Sequence, residues 1–334
     1  MLIFMCHFTG MLHLQPVFVY GGDAGVAFFF MLSGFVLSVG CGAKVESGQL
    51  QLGSFMWHRL IKLYPLHLVA MLVIVAFSVY SGQHFKPVAF LAQLLMFQAW
   101  VPLPQILNYG NGVSWFLGPL FLCYALFPWL YRGIMMHASR CFKCFVVVYF
   151  VIYPCLRFCN DSLIDDSLYA FPPLRVIDFM LGIKLYGFFR SDMAVRLSVR
   201  IRKMSVSLVT AIELSVVALC IGTYVAYPHL PSWVRFSALF WIPFYLTILC
   251  FALLDNGRGY ISRLLHMSVV QWLGSISFEM YMLHIIAITV VVSVYGKLFG
   301  YDNMKVLPLL SFSFVVTVLV SVMAKRTERF IRKG

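Results

Sequence analysis

The sequence predicts an all-α integral membrane protein: one polytopic domain over residues 1–334, about ten transmembrane helices, and a short re-entrant or interfacial segment near 88–100. Three observations predict it. Hydrophobic residues make up 62% of the chain and charged residues only 11%, roughly half the charged share of an average soluble domain; the mean hydropathy is +0.90. Apolar runs near the length needed to cross a ~30 Å hydrocarbon layer recur from end to end. They are continuous rather than alternating, which selects helices over strands as the spanning elements.

Residues 1–14 are apolar but too short to cross a bilayer at ~1.5 Å per residue. They lack the basic flank of a signal peptide and read as the second half of a helix, so the first crossing is expected to be truncated. A polar turn with Pro16, Gly21 and Gly22 follows. The span 24–41 carries Ser33 and Gly34 at its centre, where another helix can approach closely. A polar loop with Lys44 and Glu46 leads to the span 59–80, which opens WHRLIKLYPLH. Arg59 and Lys62 are three apart and share a helical face. Residues 88–100 are apolar but short, and Pro102, Pro104, Asn108, Gly110, Asn111 and Gly112 follow. Such a segment must be shielded by protein rather than lipid. Further spans are expected at 114–130, 145–158, 171–189, 204–227, 234–254, 269–295 and 306–323.

The charges orient this layout. With the amino terminus inside, nineteen of the 25 Lys and Arg residues fall on the cytoplasmic side and six outside, the bias expected of inner loops. Both termini are then cytoplasmic, and the acidic loop 160–167 faces out. The net charge of +13 follows from this bias, and no loop is long or basic enough to bind nucleic acid. The nine cysteines form no disulfide framework. Cys6, Cys41, Cys123, Cys220 and Cys250 lie in apolar runs and read as small buried hydrophobes. His137, Cys141 and Cys144 have metal-like spacing without a fourth ligand, so no metal site is assigned. Cys155 and Cys159 pair only if they face an oxidising side.

Ionisable groups at membrane depth are costly and mark function. Five stand out: His7, Asp178, Glu213, Glu279 and His284. His7 reads either as a general base, since imidazole titrates near neutrality, or as a hydrogen-bonded structural histidine. Arg175 and Asp178 are three apart and form either a cavity-lining ion pair or a self-neutralising structural one. Ser277, Tyr281 and His284 fall on one helical face, which faces a cavity or bonds a neighbouring helix. Glu213 receives no role. Arg59 and Lys62 read either as an orientation signal or as a phosphate clamp.

Six segments, in order, resemble the acyltransferase 3 family, integral membrane enzymes that O-acylate cell-surface and exported sugars. They are 26–38 (VAFFFMLSGFVLS), 58–66 (HRLIKLYPL), 114–128 (SWFLGPLFLCYALFP), 173–182 (PLRVIDFMLG), 273–284 (LGSISFEMYMLH) and 325–332 (KRTERFIR). The family's ten-helix core with cytoplasmic termini agrees with the charge layout. The resemblance implies that His7 is the general base, and that Arg59 and Lys62 stand where paired arginines contact acyl-CoA. It implies site roles for Arg175 and His284, with Asp178 replacing a glutamate, and puts Trp115 in the Ser-Trp motif. The family's arginine eleven residues before the histidine falls before Met1, and Leu120 stands where a glutamate is frequent.

The expected activity is transfer of an acyl group, an acetyl in the first instance, from cytoplasmic acyl-CoA to a hydroxyl of a polysaccharide or glycolipid. The expected setting is a bacterial inner membrane, with the donor as a substrate and no permanently bound cofactor. The rival expectations are a transporter or flippase using the same buried charges, and a catalytically inactive relative. Oligomeric state is not readable from the sequence.

Overall fold

The computed structural model describes residues 1–12, 21–101, 103–136, 140–157, 169–254, 257–300 and 305–331. His137, Cys159 and the acidic loop 160–167 lie outside the described residues. The described chain is helical throughout. Its main helices are α1 (Leu2–Met11), α2 (Gly21–Glu46), α3 (Leu52–Tyr80), α4 (Pro87–Leu94), α5 (Leu117–Met136), α6 (Arg140–Arg157) and α7 (Pro172–Phe189). They continue with α8 (Asp192–Arg202), α9 (Val206–Ala226), α10 (Ala238–Leu253), α11 (Tyr260–Leu265), α12 (Ser268–Ser275), α13 (Ser277–Phe299) and α14 (Val306–Ile331).

Among the described residues, six helices are long and apolar enough to cross a membrane: those at Gly21–Glu46, Leu52–Tyr80, Gly112–Met136, Val206–His229, Ser277–Phe299 and Val306–Glu328. The helical class is as expected, and six of the ten expected crossings are among these helices. The other four expected crossings are also helices. However, α1 and α10 are short, α6 opens on Arg140 and Lys143, and α7 carries Arg175, Asp178 and Lys184.

Helix α7 is the centre of the bundle: twelve of its 18 residues are buried, including Arg175 and Asp178. It crosses α2 at a pair of glycines. A Cβ on Gly34 would collide with the Phe179 carbonyl oxygen, and one on Gly182 would collide with that of Met31 and stand 2.7 Å from Phe35 N. The close approach expected at Ser33–Gly34 is therefore made by Gly34, against α7; Ser33 is half-buried beside it. Phe127 and Tyr131 of α5 pack on Phe179 and Tyr186 of α7 in the same core.

At one end of the bundle Glu46 accepts hydrogen bonds from Tyr131 at 2.7 Å and Arg190 at 2.5 Å, tying α2, α5 and α7 together. At the other end Asp23 accepts from the Tyr227 hydroxyl. Glu213, left without a role by the sequence, accepts from the backbone N–H groups of Ile261 at 2.9 Å and Ser262 at 3.1 Å. It satisfies donors that a helix start leaves open, and so fastens α11 to α9. Glu279 stands 4.0 Å from Lys325, joining α13 to α14.

The segment expected to be re-entrant or interfacial is a short helix and a turn: α4 ends at Leu94, and Met96 follows with a φ of +57°. Two boundaries differ from expectation. The span expected at 269–295 is broken at Ile276. Ser275 donates to the Trp272 carbonyl at 2.7 Å, and its own carbonyl accepts from Lys325, a local competition that ends a helix. The charged stretch after Phe189, expected as a loop, is the amphipathic helix α8, capped by Ser191 accepting from Ala194 N at 3.3 Å.

Candidate active site

The site is built where α1 meets α13. Helix α1 is apolar around its whole circumference apart from His7 and Thr9, so it packs among other helices rather than against water. On α13, Tyr281 and His284 are three apart and share a face. His284 is 2% exposed and meets His7 there, with Nε2 3.1 Å from His7 Nδ1 and ring centroids 4.9 Å apart.

The backbone fixes the tautomers. His284 Nδ1 lies 2.7 Å from the Tyr281 carbonyl oxygen, and His7 Nδ1 lies 2.9 Å from that of Ile3. A carbonyl oxygen only accepts, so both Nδ1 atoms carry hydrogen. The His7 Nδ1–H is then shared between Ile3 O and the lone pair of His284 Nε2. His7 Nε2 keeps its own lone pair, and nothing among the described residues hydrogen-bonds it.

Two cavities flank the pair, each lined by residues of α1, α2 and α13. The first, about 440 Å³, is lined by Cys6, His7, Asp23, Asn108, Trp115, Tyr169 and Tyr281 among others. Its far wall is the segment after α4, held by buried amides. Gln93 donates to the Asn111 carbonyl at 3.2 Å, Asn111 donates to the Met282 carbonyl at 3.0 Å, and His67 Nε2 donates to the Gln93 carbonyl at 2.9 Å. The Tyr281 hydroxyl donates to Val113 O at 2.9 Å. Trp115 and Tyr169 meet edge to face in the same wall, with ring centroids 4.9 Å apart. The second cavity, about 570 Å³, is mostly apolar and holds Phe4, Phe28, Phe29, Ser277, His284 and Phe314 in its wall.

Arg59 and Lys62 line a third cavity of about 560 Å³ at the Glu46 end, with Lys44, Gln51, Ser54 and His58. The Arg59 guanidinium lies over the rings of Phe55 and Tyr124, at 5.2 and 5.3 Å. Among the described residues, no carboxylate pairs with either cation.

Residues 1–326 match the family described as "Acyltransferase domain". The chain belongs to this acyltransferase family. Acyltransferase MdmB of Streptomyces mycarofaciens is 28% identical to it over 201 residues, covering 52% of this chain and 48% of that protein. The chain thus aligns with about half of that relative's length. No solved structure matches. The chain thus carries this family's domain, and among its described residues several apolar helices suit a membrane setting.

In this family member the sequence-predicted residues divide into groups. His7, His284, Tyr281 and Trp115 come together at the first cavity or its edge. Ser277 joins Tyr281 and His284 on the second. Arg59 and Lys62 share the third. Arg175 and Asp178 face each other at 3.1 Å, both fully buried, away from the histidines. Asp178 also accepts from Ser237 and from Trp241 Nε1 at 2.7 Å, which ties α7 to α10. Arg175 lies behind Tyr169, a wall residue of the first cavity, whose ring centroid is 5.7 Å from its guanidinium. Sequence reasoning missed Asp23, Asn108 and Tyr169. Each sits in a turn or near a helix start, and the signal that pointed to His7, a polar group inside an apolar run, was absent there.

Proposed function

We propose that this protein is a membrane O-acyltransferase that draws on acyl-CoA at the Glu46 end and acylates a hydroxyl at the Asp23 end. The observation that carries the reading is the His7–His284 pair, which leaves one unpartnered imidazole nitrogen beside a partly polar cavity. Arg59 and Lys62 would hold the donor phosphates by charge-assisted hydrogen bonds. His7 Nε2 would take the hydroxyl proton as the oxygen attacks the thioester carbonyl. The new ester C–O bond forms, the C–S bond breaks, and the proton leaves on the thiolate. The Ile3 carbonyl and His284 together hold the His7 Nδ1–H, and with it the required tautomer. Trp115, Tyr169, Asn108 and Asp23 suit a sugar ring with several hydroxyls. Arg175 and Asp178 then act as a buried brace behind Tyr169. The proposed topology is ten crossings with both termini cytoplasmic in a bacterial inner membrane, the acceptor being a cell-surface or exported polysaccharide or glycolipid and the acyl group an acetyl.

Glycan mass spectrometry of a deletion strain, complemented with wild type or His7→Ala, tests the reading. Loss of one acyl mass in the deletion, its return with wild type and its absence with His7→Ala are expected. Full acylation in the His7→Ala strain would sink it. Labelled acetyl-CoA and purified protein in nanodiscs test the donor separately.

A further inference from the structure

A second basic pocket lies at the Glu46 end, apart from the one that holds Arg59. Arg202 from the end of α8, Arg258 from the turn after α10 and Arg263 from α11 line a space of about 360 Å³. Its remaining walls are apolar, formed by Ile201, Val206 and Leu254 among others. Arg258 is anchored by a 2.6 Å bond from Nη2 to the Met204 carbonyl. Its Nε is buried with no hydrogen-bond partner. Arg202 and Arg263 are exposed at the mouth. Among the described residues lining the pocket, none is acidic, and Glu213 nearby in the chain fold is engaged with the α11 backbone.

The surroundings are those of a lipid headgroup region. Helix α8 exposes Met193, Val195 and Val199 (59, 57 and 49% accessible) alongside Arg196 and Arg200, the make-up of a helix lying in a membrane interface. The span that rises from the pocket, Val206–His229, is the least buried of the six, with 11% of its apolar window inside the protein. Its faces are therefore left for acyl chains. Tyr260 and Leu264 of α11 are exposed beside it, and aromatic rings favour this depth.

We propose that this pocket binds the phosphate of an anionic phospholipid headgroup. Arg258 forms its inner guanidinium, Arg202 and Arg263 close its mouth, and the acyl chains run along α9. The three cations attract an anionic headgroup, and the apolar walls separate such a lipid from a water-soluble phosphate.

The test is native mass spectrometry of the full chain in mild detergent, titrated with phosphatidylglycerol or phosphatidylcholine. Inorganic phosphate and CoA serve as competitors. Wild type is expected to retain phosphatidylglycerol in preference to phosphatidylcholine, and neither soluble competitor is expected to displace it. Arg202→Gln with Arg263→Gln, both surface changes, is expected to weaken retention about fivefold for each guanidinium removed. Arg258→Gln is expected to weaken it further, and the surface pair keeps the test decisive if that variant folds poorly. Equal retention by the surface pair, or equal binding of phosphatidylcholine, would overturn the proposal. Displacement by phosphate or CoA at matched concentration would also overturn it and identify a soluble anion as the occupant.

Discussion

Replacing His284 by Phe separates the two histidines. The ring survives, but the Nε2 acceptor that stands 3.1 Å from His7 Nδ1 does not. A neutral hydrogen bond contributes about 1 kcal/mol net, or about fivefold in rate. The Ile3 carbonyl still holds the His7 Nδ1–H at 2.9 Å, so the tautomer is kept and the predicted fall in kcat is about fivefold with the donor KM unchanged. His284→Gln keeps an oxygen that can accept the Nδ1–H and is expected to recover part of the loss. His7→Ala removes the base itself and is expected to cost on the order of 10²–10⁴. The assay is transfer from labelled acetyl-CoA to the acceptor identified by glycan mass spectrometry, under saturating donor. Either of two results would refute the hydrogen-bond argument: His284→Phe within twofold of wild type, or His284→Phe as inactive as His7→Ala.

Further outcomes follow from the packing and the charges. Arg59→Gln and Lys62→Gln should raise the donor KM and leave kcat nearly intact, read from acetyl-CoA titrations. An equal fall in kcat with no change in KM would place these residues elsewhere in the reaction. Gly182→Ala puts a methyl into the Met31 carbonyl and the Phe35 amide and should destabilise by at least the ~1–3 kcal/mol of ordinary overpacking. A thermal-shift assay in detergent checks it, and an unchanged midpoint would contradict the crossing. Glu213→Ala strands two backbone N–H groups and should cost about 2 kcal/mol, seen as faster proteolysis between α10 and α12. Acidification should abolish transfer once His7 is protonated, because an imidazolium has no lone pair to accept the hydroxyl proton. A rate that does not fall would exclude His7 as the base.

The helical class, the close approach at Gly34 and the two histidines were readable because each rests on local pattern: run length, a small residue in an apolar helix, a polar group at depth. That His7 and His284 touch was not, since they lie 277 residues apart and neither run names its partner. Glu213 was opaque for a similar reason: its partners are backbone groups, which the sequence does not label. The break at Ile276 was hidden because hydropathy is continuous there while the hydrogen bonds of Ser275 are not. Arg175 and Asp178 had equal claims to cavity and core on spacing alone. The core position follows from Ser237 and Trp241, on a helix the spacing could not place beside them.

Helix α2 also acts as a ruler. Locked to α7 at Gly34 and tied down by Glu46, it contributes Lys44 to the anion pocket and Val26 to the cavity beside His7. Eighteen residues of helix separate them, roughly 27 Å at ~1.5 Å per residue. Neither end can slide toward the other without unzipping the glycine crossing. In the proposed reaction, a donor gripped at one mark would have to carry its cargo to the other on a long, thin tether. Length of reach, rather than strength of grip, would then be the first criterion by which thioesters are sorted.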